Sequence, residues 1–354
     1  MKIIGDPHNG QKRVCLDIFN RIYKPRNIYW EWLFLSESSL LIEHLKSYKN
    51  INTEFDLYDK WYTLIPSMKF TPDNNIFNSG YIEYHNISEI TEPILNENDW
   101  ESCGAIIAMY AMFGITDLHF ENILFGKNSD NKIVFCALDI ESIFNKIGLL
   151  SQTHLLPFYD LSENICGLKK IKDAFNLKPK NKFLGALVFG YLTFMDKYKE
   201  VFLNILNNNF FHQIPIRVII RSTNFYNEII QKKSFNFDNI YPEEKEQILR
   251  KDIPYFFRYI NSRDIFYYSE SKKNIKFSHI RNNSINQIRE QFVTSNTDIK
   301  KISNNLLLLK KTGAAQLIKF FNQEKDFFIY KNTRFYLNCD YIKIEYRNNL
   351  WIYK

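Results

Sequence analysis

Three oxygen-bearing side chains stand in an order that suits phosphoryl transfer. Asn122 follows Asp117 by five positions, and Asp139 follows Asn122 by seventeen. Phosphoryl transfer from ATP needs a carboxylate beside the attacking hydroxyl, together with an amide and a second carboxylate that hold Mg²⁺ on the phosphates. We therefore predict that Asp117 orients the hydroxyl and accepts its proton, and that Asn122 and Asp139 bind the metal.

His119 and Glu141 extend this set. His119 can share the role of Asp117 or steady the phosphoryl group, although a lone histidine is more often a structural hydrogen-bonding residue. Glu141 would share a face with Asp139 if the strand continued, and would then bind a second metal or hold a loop. The order Asp-x-His-x-x-Asn, then Asp, is that of lipid-kinase-like active sites. Alone it also arises by chance as a solvated turn, so its context matters.

The spacing of apolar residues predicts the helices and strands around this motif. Apolar residues at helical spacing predict a helix over residues 100–113, and residues 123–125 and 133–138 read as strands joined by a turn-rich segment. We further predict strands at 13–19 and 21–24, a loop at 66–79, helices at 30–46, 181–207, 223–232 and 242–251, and a small antiparallel sheet within 327–353.

Ordered motifs cover about the first 300 residues. They lie at residues 5–10 (Gly-Asp-Pro-His-Asn-Gly), 23–26 (Tyr-Lys-Pro-Arg), 80–84, 116–122, 138–144, 217–226 and 252–256. Together they resemble the dehydratase domain of class II lanthipeptide synthetases, the LanM family, which has a lipid-kinase-like core. The resemblance implies an α+β, two-lobed kinase-like fold. We expect a β-rich N-lobe at 1–85, a mainly helical C-lobe at 86–310, and a β-rich tail of unknown role at 311–354.

The resemblance also implies nucleotide-binding residues near the N-terminus. Lys24 would point its charge at the ATP phosphates, although a lone lysine is usually a surface residue. Gly5 and Gly10 would form a turn whose backbone N–H groups face the phosphates, although two glycines alone indicate only a turn. Asp6 and His8 would contact phosphate or substrate.

Arg217, Arg221 and Thr223 match the family's elimination motif. Removing phosphate from phosphoserine or phosphothreonine produces an enolate and a leaving dianion, and both favour nearby positive charge. Arginine offers a planar fork of donors suited to phosphate. The two arginines are four apart, so we expect them to converge on one face of a helix or strand. Spacing alone would fit a basic surface strand equally well.

The resemblance implies a dehydratase that phosphorylates Ser and Thr of a ribosomal precursor peptide with ATP, releasing ADP, and then eliminates the phosphate. One alternative is a kinase that stops at phosphorylation of a protein or lipid. Another is a non-catalytic remnant that binds nucleotide or peptide. Family members carry a region before the 5–10 turn, and most carry a zinc cyclase with a Cys-His-Gly that is absent here. The expected partners are a precursor peptide with its leader and a separate chain that supplies the cyclase or the N-terminal region.

Composition is compatible with a cytoplasmic enzyme. The 354 residues are 45% apolar and 24% charged, enough for a sizeable core, and the net charge of +7 includes no dense Lys/Arg block that would indicate nucleic acid. Five widely spaced cysteines, with no Cys-x-x-Cys, favour reduced thiols. We see no signal peptide, and the longest apolar run, 183–195, is too short for a bilayer and predicts a core helix.

Overall fold

The computed structural model describes residues 2–8, 10, 12–48, 57–74, 78–83, 87–88, 95–159, 161–177, 181–231, 240–269, 274–277, 283–321, 327–331, 333–337, 342–346 and 349–353. Helices and antiparallel sheets occupy separate stretches of the chain, so the fold class is α+β, as predicted. Within the described ranges, more residues lie in helices than in strands.

The first sheet supports the lysine predicted to bind the phosphates. Its strands are β1 (Lys2–Ile3), β2 (Cys15–Leu16), β3 (Arg21–Lys24), β4 (Phe70–Pro72) and β5 (Gly80–Glu83). They pair in the order β1-β2-β3-β5-β4, and β2 is shorter than predicted. The segment 66–79, which was predicted to be a loop, contains β4. The proline that ends β4 is tolerated because β4 is an edge strand.

The helix predicted at 30–46 is two helices, α1 (Tyr29–Leu35) and α2 (Leu40–Ser47). Ser39 is the reason for the break. Its hydroxyl accepts from Ile42 N–H as the N-cap of α2 and donates to Leu33 O at 2.6 Å. The hydroxyl thus closes one helix and opens the next.

Two long helices form the centre of the core. They are α3 (Glu97–Met112), which begins with an Asn96/Asp99 capping box, and α5 (Asn181–Lys197). A third helix, α10 (Ile299–Phe321), packs on α5, where Tyr191 donates to Leu309 O at 2.9 Å. The apolar run at 183–195 is therefore a core helix, as predicted, and within the described ranges no helix is long and apolar enough to cross a membrane.

Gly104 allows α3 and α5 to meet backbone to backbone. A Cβ built there would lie 1.9 Å from Leu187 O. Alanine normally stabilises a helix interior relative to glycine, but overpacking costs about 1–3 kcal/mol. We expect Gly104→Ala to lower the free energy of unfolding by about that amount in urea titration. The control is Gly148→Ala, whose Cβ would have no heavy atom closer than 3.6 Å; equal stability of the two variants would contradict the close-packing argument.

The remaining elements follow in chain order. The helices are α4 (Lys169–Leu177), α6 (Lys199–Leu206), α7 (Thr223–Gln231), α8 (Pro242–Leu249) and α9 (Asn283–Glu290), and a break at Tyr198 divides the helix predicted at 181–207. Strands β6 (Ile123–Lys127) and β7 (Ile133–Ala137) form the predicted hairpin. A sheet that periodicity did not predict comprises β8 (Ile216–Val218), β9 (Phe256–Arg258), β10 (Ile265–Tyr268) and β11 (Asn274–Phe277).

The predicted C-terminal sheet is confirmed. It consists of β12 (Phe327–Tyr330), β13 (Thr333–Leu337), β14 (Ile342–Tyr346) and β15 (Asn349–Tyr353), paired in sequence order. Its first strand is tied to the helical core, because Tyr330 donates to Glu101 of α3 at 2.6 Å. Cys15, Cys103, Cys136 and Cys166 are free thiols, and Cys339 lies outside the described residues.

Candidate active site

A cavity of about 820 Å³ gathers most of the residues nominated from the sequence. Its lining includes Gly5, Asp6, His8, Asp117, His119, Asn122, Asp139, Glu141, Arg217 and Thr223. Lys24, Gly10 and Arg221 are not among the lining residues. The lining residues come from the N-terminal turn, the loop after α3, the exit of the β6–β7 hairpin, strand β8 and the start of α7.

The loop after α3 is held rigidly. Gly114 has φ +61°, and a Cβ there would lie 2.1 Å from Asn145 O. Leu118 N–H donates to Thr153 O at 2.9 Å, and Asn122 Nδ2 donates to Asp117 O at 2.8 Å. Asp117 itself has φ +68°, a conformation that aspartate tolerates better than most residues and that recurs at functional sites.

Two imidazoles flank the Asp117 carboxylate. His119 Nε2 and His154 Nδ1 each lie 3.9 Å from Asp117 Oδ1, and the Asp117 side chain is 37% exposed. Burial raises the pKa of Asp117 above its ordinary value, and the positive charges of His119, Arg217 and His154 offset only part of that rise. The group is a carboxylate poised to take up a proton more readily than a free aspartate.

The hairpin brings Asn122 beside Asp139. Leu138 N–H donates to Asn122 O at 2.7 Å, so Asp139 follows directly at the end of the ladder. β7 ends at Ala137 and Asp139 has φ +55°, so the expectation that Asp139 and Glu141 share a strand face is wrong. The left-handed residue turns the chain, yet Arg26 Nη2 still lies close to both carboxylates.

Lys24 lies behind Asp139 in a charge cluster that is buried except for the Asp139 side chain, which is 44% exposed. Its ammonium donates to Glu31 Oε1 at 2.5 Å and to Asp139 Oδ1. Arg26 Nη2 lies 2.8 Å from Asp139 Oδ1 and 3.1 Å from Glu141 Oε1. Burial acts to raise the pKa of Asp139, but Lys24 and Arg26 outweigh it and hold that pKa well below the usual range.

Glu31 is the anion at the base of this cluster. It is 1% exposed on α1 and also accepts from Asp139 N–H at 3.0 Å. Burial raises the pKa of Glu31, and Lys24 and Arg26 counteract only part of that effect. Glu31 Oε2 and Arg26 Nη1 are buried, lie 3.8 Å apart and have no hydrogen-bond partner among the described residues. A bound anion or an ordered water would satisfy the Arg26 nitrogen, whereas an ordered water would satisfy the Glu31 oxygen.

Glu141 is engaged by protein on both oxygens. Arg217 Nη1 donates to Oε1 at 3.0 Å, and Tyr255 Oη donates to Oε2 at 3.3 Å. Arg26 and Arg217 hold the pKa of Glu141 below its usual value against the raising effect of burial. Glu141 therefore positions Arg217 on the cavity, which fits the loop-holding alternative better than a second metal site.

The N-terminal turn is fastened to the segment before β9. Gly10 N–H donates to Asp252 Oδ2 at 2.7 Å, and Ile253 N–H donates to Pro7 O at 2.8 Å. The Gly10 N–H is thus occupied by a carboxylate, contrary to the expectation that it faces phosphate. His8 Nδ1 lies 2.9 Å from Ile253 O, and burial together with Arg217 lowers the pKa of His8. Because a carbonyl only accepts, neutral His8 carries its proton on Nδ1 and leaves Nε2 as an acceptor.

Arg217 and Arg221 do not converge as predicted. Arg217 lies in β8 and reaches the cavity, whereas Arg221 Nε donates to Glu244 Oε1 at 3.0 Å. Tyr226 donates to the same oxygen at 2.5 Å. β8 ends at Val218 and the chain bends before α7, so the four-residue spacing follows neither a helix nor a strand. Thr223 begins α7 and lines the cavity.

Four site residues were not nominated from the sequence: Arg26, Glu31, His154 and Tyr255. Arg26 closes the Tyr-Lys-Pro-Arg motif, and Tyr255 lies in the 252–256 motif, so both carried a signal. Glu31 was detectable as a single acid within the otherwise apolar Tyr29–Leu35 segment. His154 carried no such signal in the sequence. Its position beside Asp117 depends on how the segment around it packs against the loop after α3.

The donor set fits a hard, partly hydrated cation. Asn122 and Asp139 offer oxygens at adjacent positions, as Mg²⁺ prefers, and Mg²⁺ keeps several water or phosphate ligands of its own. Across the described ranges, no three His, Cys, Asp or Glu side chains cluster in a way that would hold a metal by themselves. Asn122 and Asp139 would supply two ligands of such a cation, which would take its other ligands from water or phosphate.

Comparison with known proteins gives one informative similarity. No family model matches the chain. The chain is similar to the lacticin 481/lactococcin biosynthesis protein LcnDR2 of Lactococcus lactis subsp. lactis, with 24% identity over 147 residues. The match covers 41% of this chain and 14% of that relative, so the chain spans a small part of the relative's length.

Proposed function

We propose that this chain is a two-lobed, kinase-like lanthipeptide dehydratase. It phosphorylates Ser or Thr of a ribosomal precursor peptide with ATP and then eliminates the phosphate to give a dehydroamino acid. The observation that carries the proposal is that Asp117, Asn122 and Asp139 share one cavity with Arg217 and Thr223. The similarity to a lacticin 481/lactococcin biosynthesis protein supports the same class of chemistry.

The nucleotide side of the cavity is prepared by the cluster behind Asp139. An ion pair between a strand lysine and a helix glutamate is a requirement of protein-kinase active sites, and Lys24 with Glu31 forms such a pair. Arg26 and Lys24 supply positive charge that phosphate oxygens can share with Asp139. Mg²⁺ held by Asn122 and Asp139 would neutralise the phosphates of ATP.

The acceptor side is organised around Asp117. The substrate hydroxyl gives its proton to the Asp117 carboxylate as its oxygen bonds to the γ-phosphorus, the bond to the β-phosphate oxygen breaks, and ADP leaves. His119 and His154 flank this carboxylate, each with a ring nitrogen 3.9 Å from Asp117 Oδ1.

The elimination step uses the opposite wall. The phosphopeptide loses its α-proton to a base, the Cβ–O bond breaks, a C=C bond forms and phosphate leaves. Neutral His8, with Nε2 as an acceptor, can take the proton. Arg217 and Thr223 can donate to the departing phosphate. Arg221 supports this wall indirectly, because it is paired with Glu244 near the start of α7.

Asp139→Asn is expected to abolish magnesium-dependent ATP binding. The variant removes the charge that would bind the metal, and it takes one anion from Lys24 and Arg26, which retain Glu31 and Glu141. Isothermal titration calorimetry with and without Mg²⁺ measures the effect. The control is Asp173→Asn, an exposed carboxylate paired with Lys169 on α4. Unchanged magnesium-dependent affinity in Asp139→Asn would remove Asp139 from the metal site.

Co-expression with a Ser/Thr/Cys-rich peptide encoded beside this gene tests the whole proposal. Intact-mass analysis should show the loss of one water for each modified residue. Accumulation of phosphopeptide by the unaltered enzyme would favour the alternative of a kinase without elimination, which the pairing of Arg221 with Glu244 makes worth testing. A peptide of unchanged mass that still binds would favour the non-catalytic alternative.

A further inference from the structure

One wall of the cavity, immediately beyond Asp117 and His119, is apolar. It is formed by Phe120, Leu161 and Ile165, which we call the apolar wall. Ile165 is 49% exposed, a large fraction for an aliphatic side chain bordering a polar site. Exposed apolar groups that adjoin a polar cavity are features of binding surfaces.

Backbone contacts hold this wall beside the loop that carries Asp117. His119 and Cys166 form an antiparallel bridge, which places Ile165 next to the loop. Phe158 and Leu161 exchange backbone hydrogen bonds of 3.1 and 2.7 Å, which fix the position of Leu161. The wall is therefore built by packing and hydrogen bonds against the loop.

The cations that line the cavity come from other elements than the apolar wall does. These cations include Lys12, Arg26 and Arg217, which come from the N-terminal turn, the end of β3 and β8. The apolar wall carries no cationic side chain on the cavity; Lys170 contacts the Phe120 ring at 4.4 Å, does not line the cavity, and donates to Ile123 O. Phosphate is attracted to these cations, which leaves the apolar wall to an uncharged part of the acceptor.

We propose that the apolar wall binds the apolar side chain of the residue adjacent to the Ser or Thr that is phosphorylated. This inference rests on the proposed function and specifies its substrate as a peptide with an apolar residue next to the acceptor. Three side chains form a surface of about one residue's size, which suits a peptide side chain and not a long acyl chain. Phe120 follows His119 directly, so an occupant of the wall lies next to the Asp117 carboxylate.

The test compares two pairs of synthetic peptides that differ in a single Leu or Gly. In the first pair, Ala-Ala-Ser-Leu-Ala and Ala-Ala-Ser-Gly-Ala, this residue follows Ser. In the second pair it precedes Ser. In one of the two pairs, the unaltered enzyme should phosphorylate the Leu peptide with a kcat/KM about tenfold above that for the Gly peptide. Modest apolar differences between substrates give selectivity of that order. Ile165→Asp should reduce the ratio to near unity. The control, Leu249→Asp, changes an exposed leucine on α8 outside the cavity and should preserve the ratio.

Binding of the same peptides by fluorescence anisotropy separates failure of the wall from failure of the chemistry. In one outcome neither peptide gains phosphate, the Leu peptide still binds more tightly than the Gly peptide, and only Ile165→Asp removes that difference. This outcome would support the apolar wall as a binding surface and contradict the proposed function. Equal kcat/KM and equal affinity for Leu and Gly peptides would overturn the wall. Displacement of the Leu peptide by a short-chain phospholipid below its micelle concentration, reduced in Ile165→Asp, would overturn the peptide assignment in favour of a lipid acceptor.

Discussion

Asp117→Asn is expected to reduce phosphoryl transfer to a Ser- or Thr-containing peptide by about 10²–10⁴, the range contributed by a positioned general base. The change removes the proton acceptor and retains the shape of the side chain. Asparagine also tolerates the left-handed backbone that Asp117 adopts, at φ +68°, so the fold should persist. Rates with radiolabelled ATP measure the loss, and calorimetry should show ATP binding retained.

The matched control is Asp130→Asn, in the exposed β6–β7 turn. It carries the same chemical change outside the cavity and should transfer phosphate at the rate of the unaltered enzyme. Full activity of Asp117→Asn would show that the loop positions the hydroxyl without a base.

The raised pKa of Asp117 predicts where this activity ends at low pH. The base must be ionised, so transfer is present above its pKa and is lost as pH falls through it. Because burial raises that pKa, the acid limb of kcat/KM should lie above the ordinary aspartate value of 3.8. Asp139 and Glu141, whose pKa values are lowered, should remain ionised across that limb. An acid limb at or below 3.8 would contradict the role of Asp117 or its buried environment.

If the proposed function holds, Arg217→Ala and Thr223→Ala are expected to convert the dehydratase into a kinase that accumulates phosphopeptide. Loss of one donor to a developing anion costs about 10²–10³ in rate, and neither residue belongs to the Asn122–Asp139 set. In co-expression, the peptide should gain phosphate where the unaltered enzyme removes water. Intact-mass spectrometry distinguishes the two products directly.

The two variants differ in what else they disturb. Arg217 also donates to buried Glu141, so its loss leaves Glu141 to Arg26 and Tyr255, and thermal unfolding must accompany the mass analysis. Thr223→Ala is the cleaner variant, and Thr223→Ser, which restores the hydroxyl, should recover elimination. Complete dehydration by both alanine variants would leave Arg217 with a structural role only.

Local patterns in the sequence determined the elements that carry the chemistry. The helical spacing before residue 114, the strand–turn–strand pattern after it, and the Asp-x-His-x-x-Asn order together predicted a loop and hairpin that bring Asn122 beside Asp139. These contacts span few residues, so periodicity and turn chemistry suffice to predict them. The helix predicted at 30–46 shows the limit of prediction from periodicity. The hydrogen bonds of the Ser39 hydroxyl divide it into two helices.

Tertiary structure decided which charges meet. Glu31 reaches Asp139 across 108 positions, Tyr255 reaches Glu141 across 114, and Gly10 reaches Asp252 across 242. Arg217 and Arg221, only four apart, were separated by the end of β8 and took different carboxylates. Buried charges must find partners wherever the folded chain supplies them, and no local periodicity encodes that choice. The sequence alone therefore determined the Asp-x-His-x-x-Asn motif and the helix and hairpin around it. The packing of distant segments determined the ion pairs of the site, the position of His154 and the apolar wall.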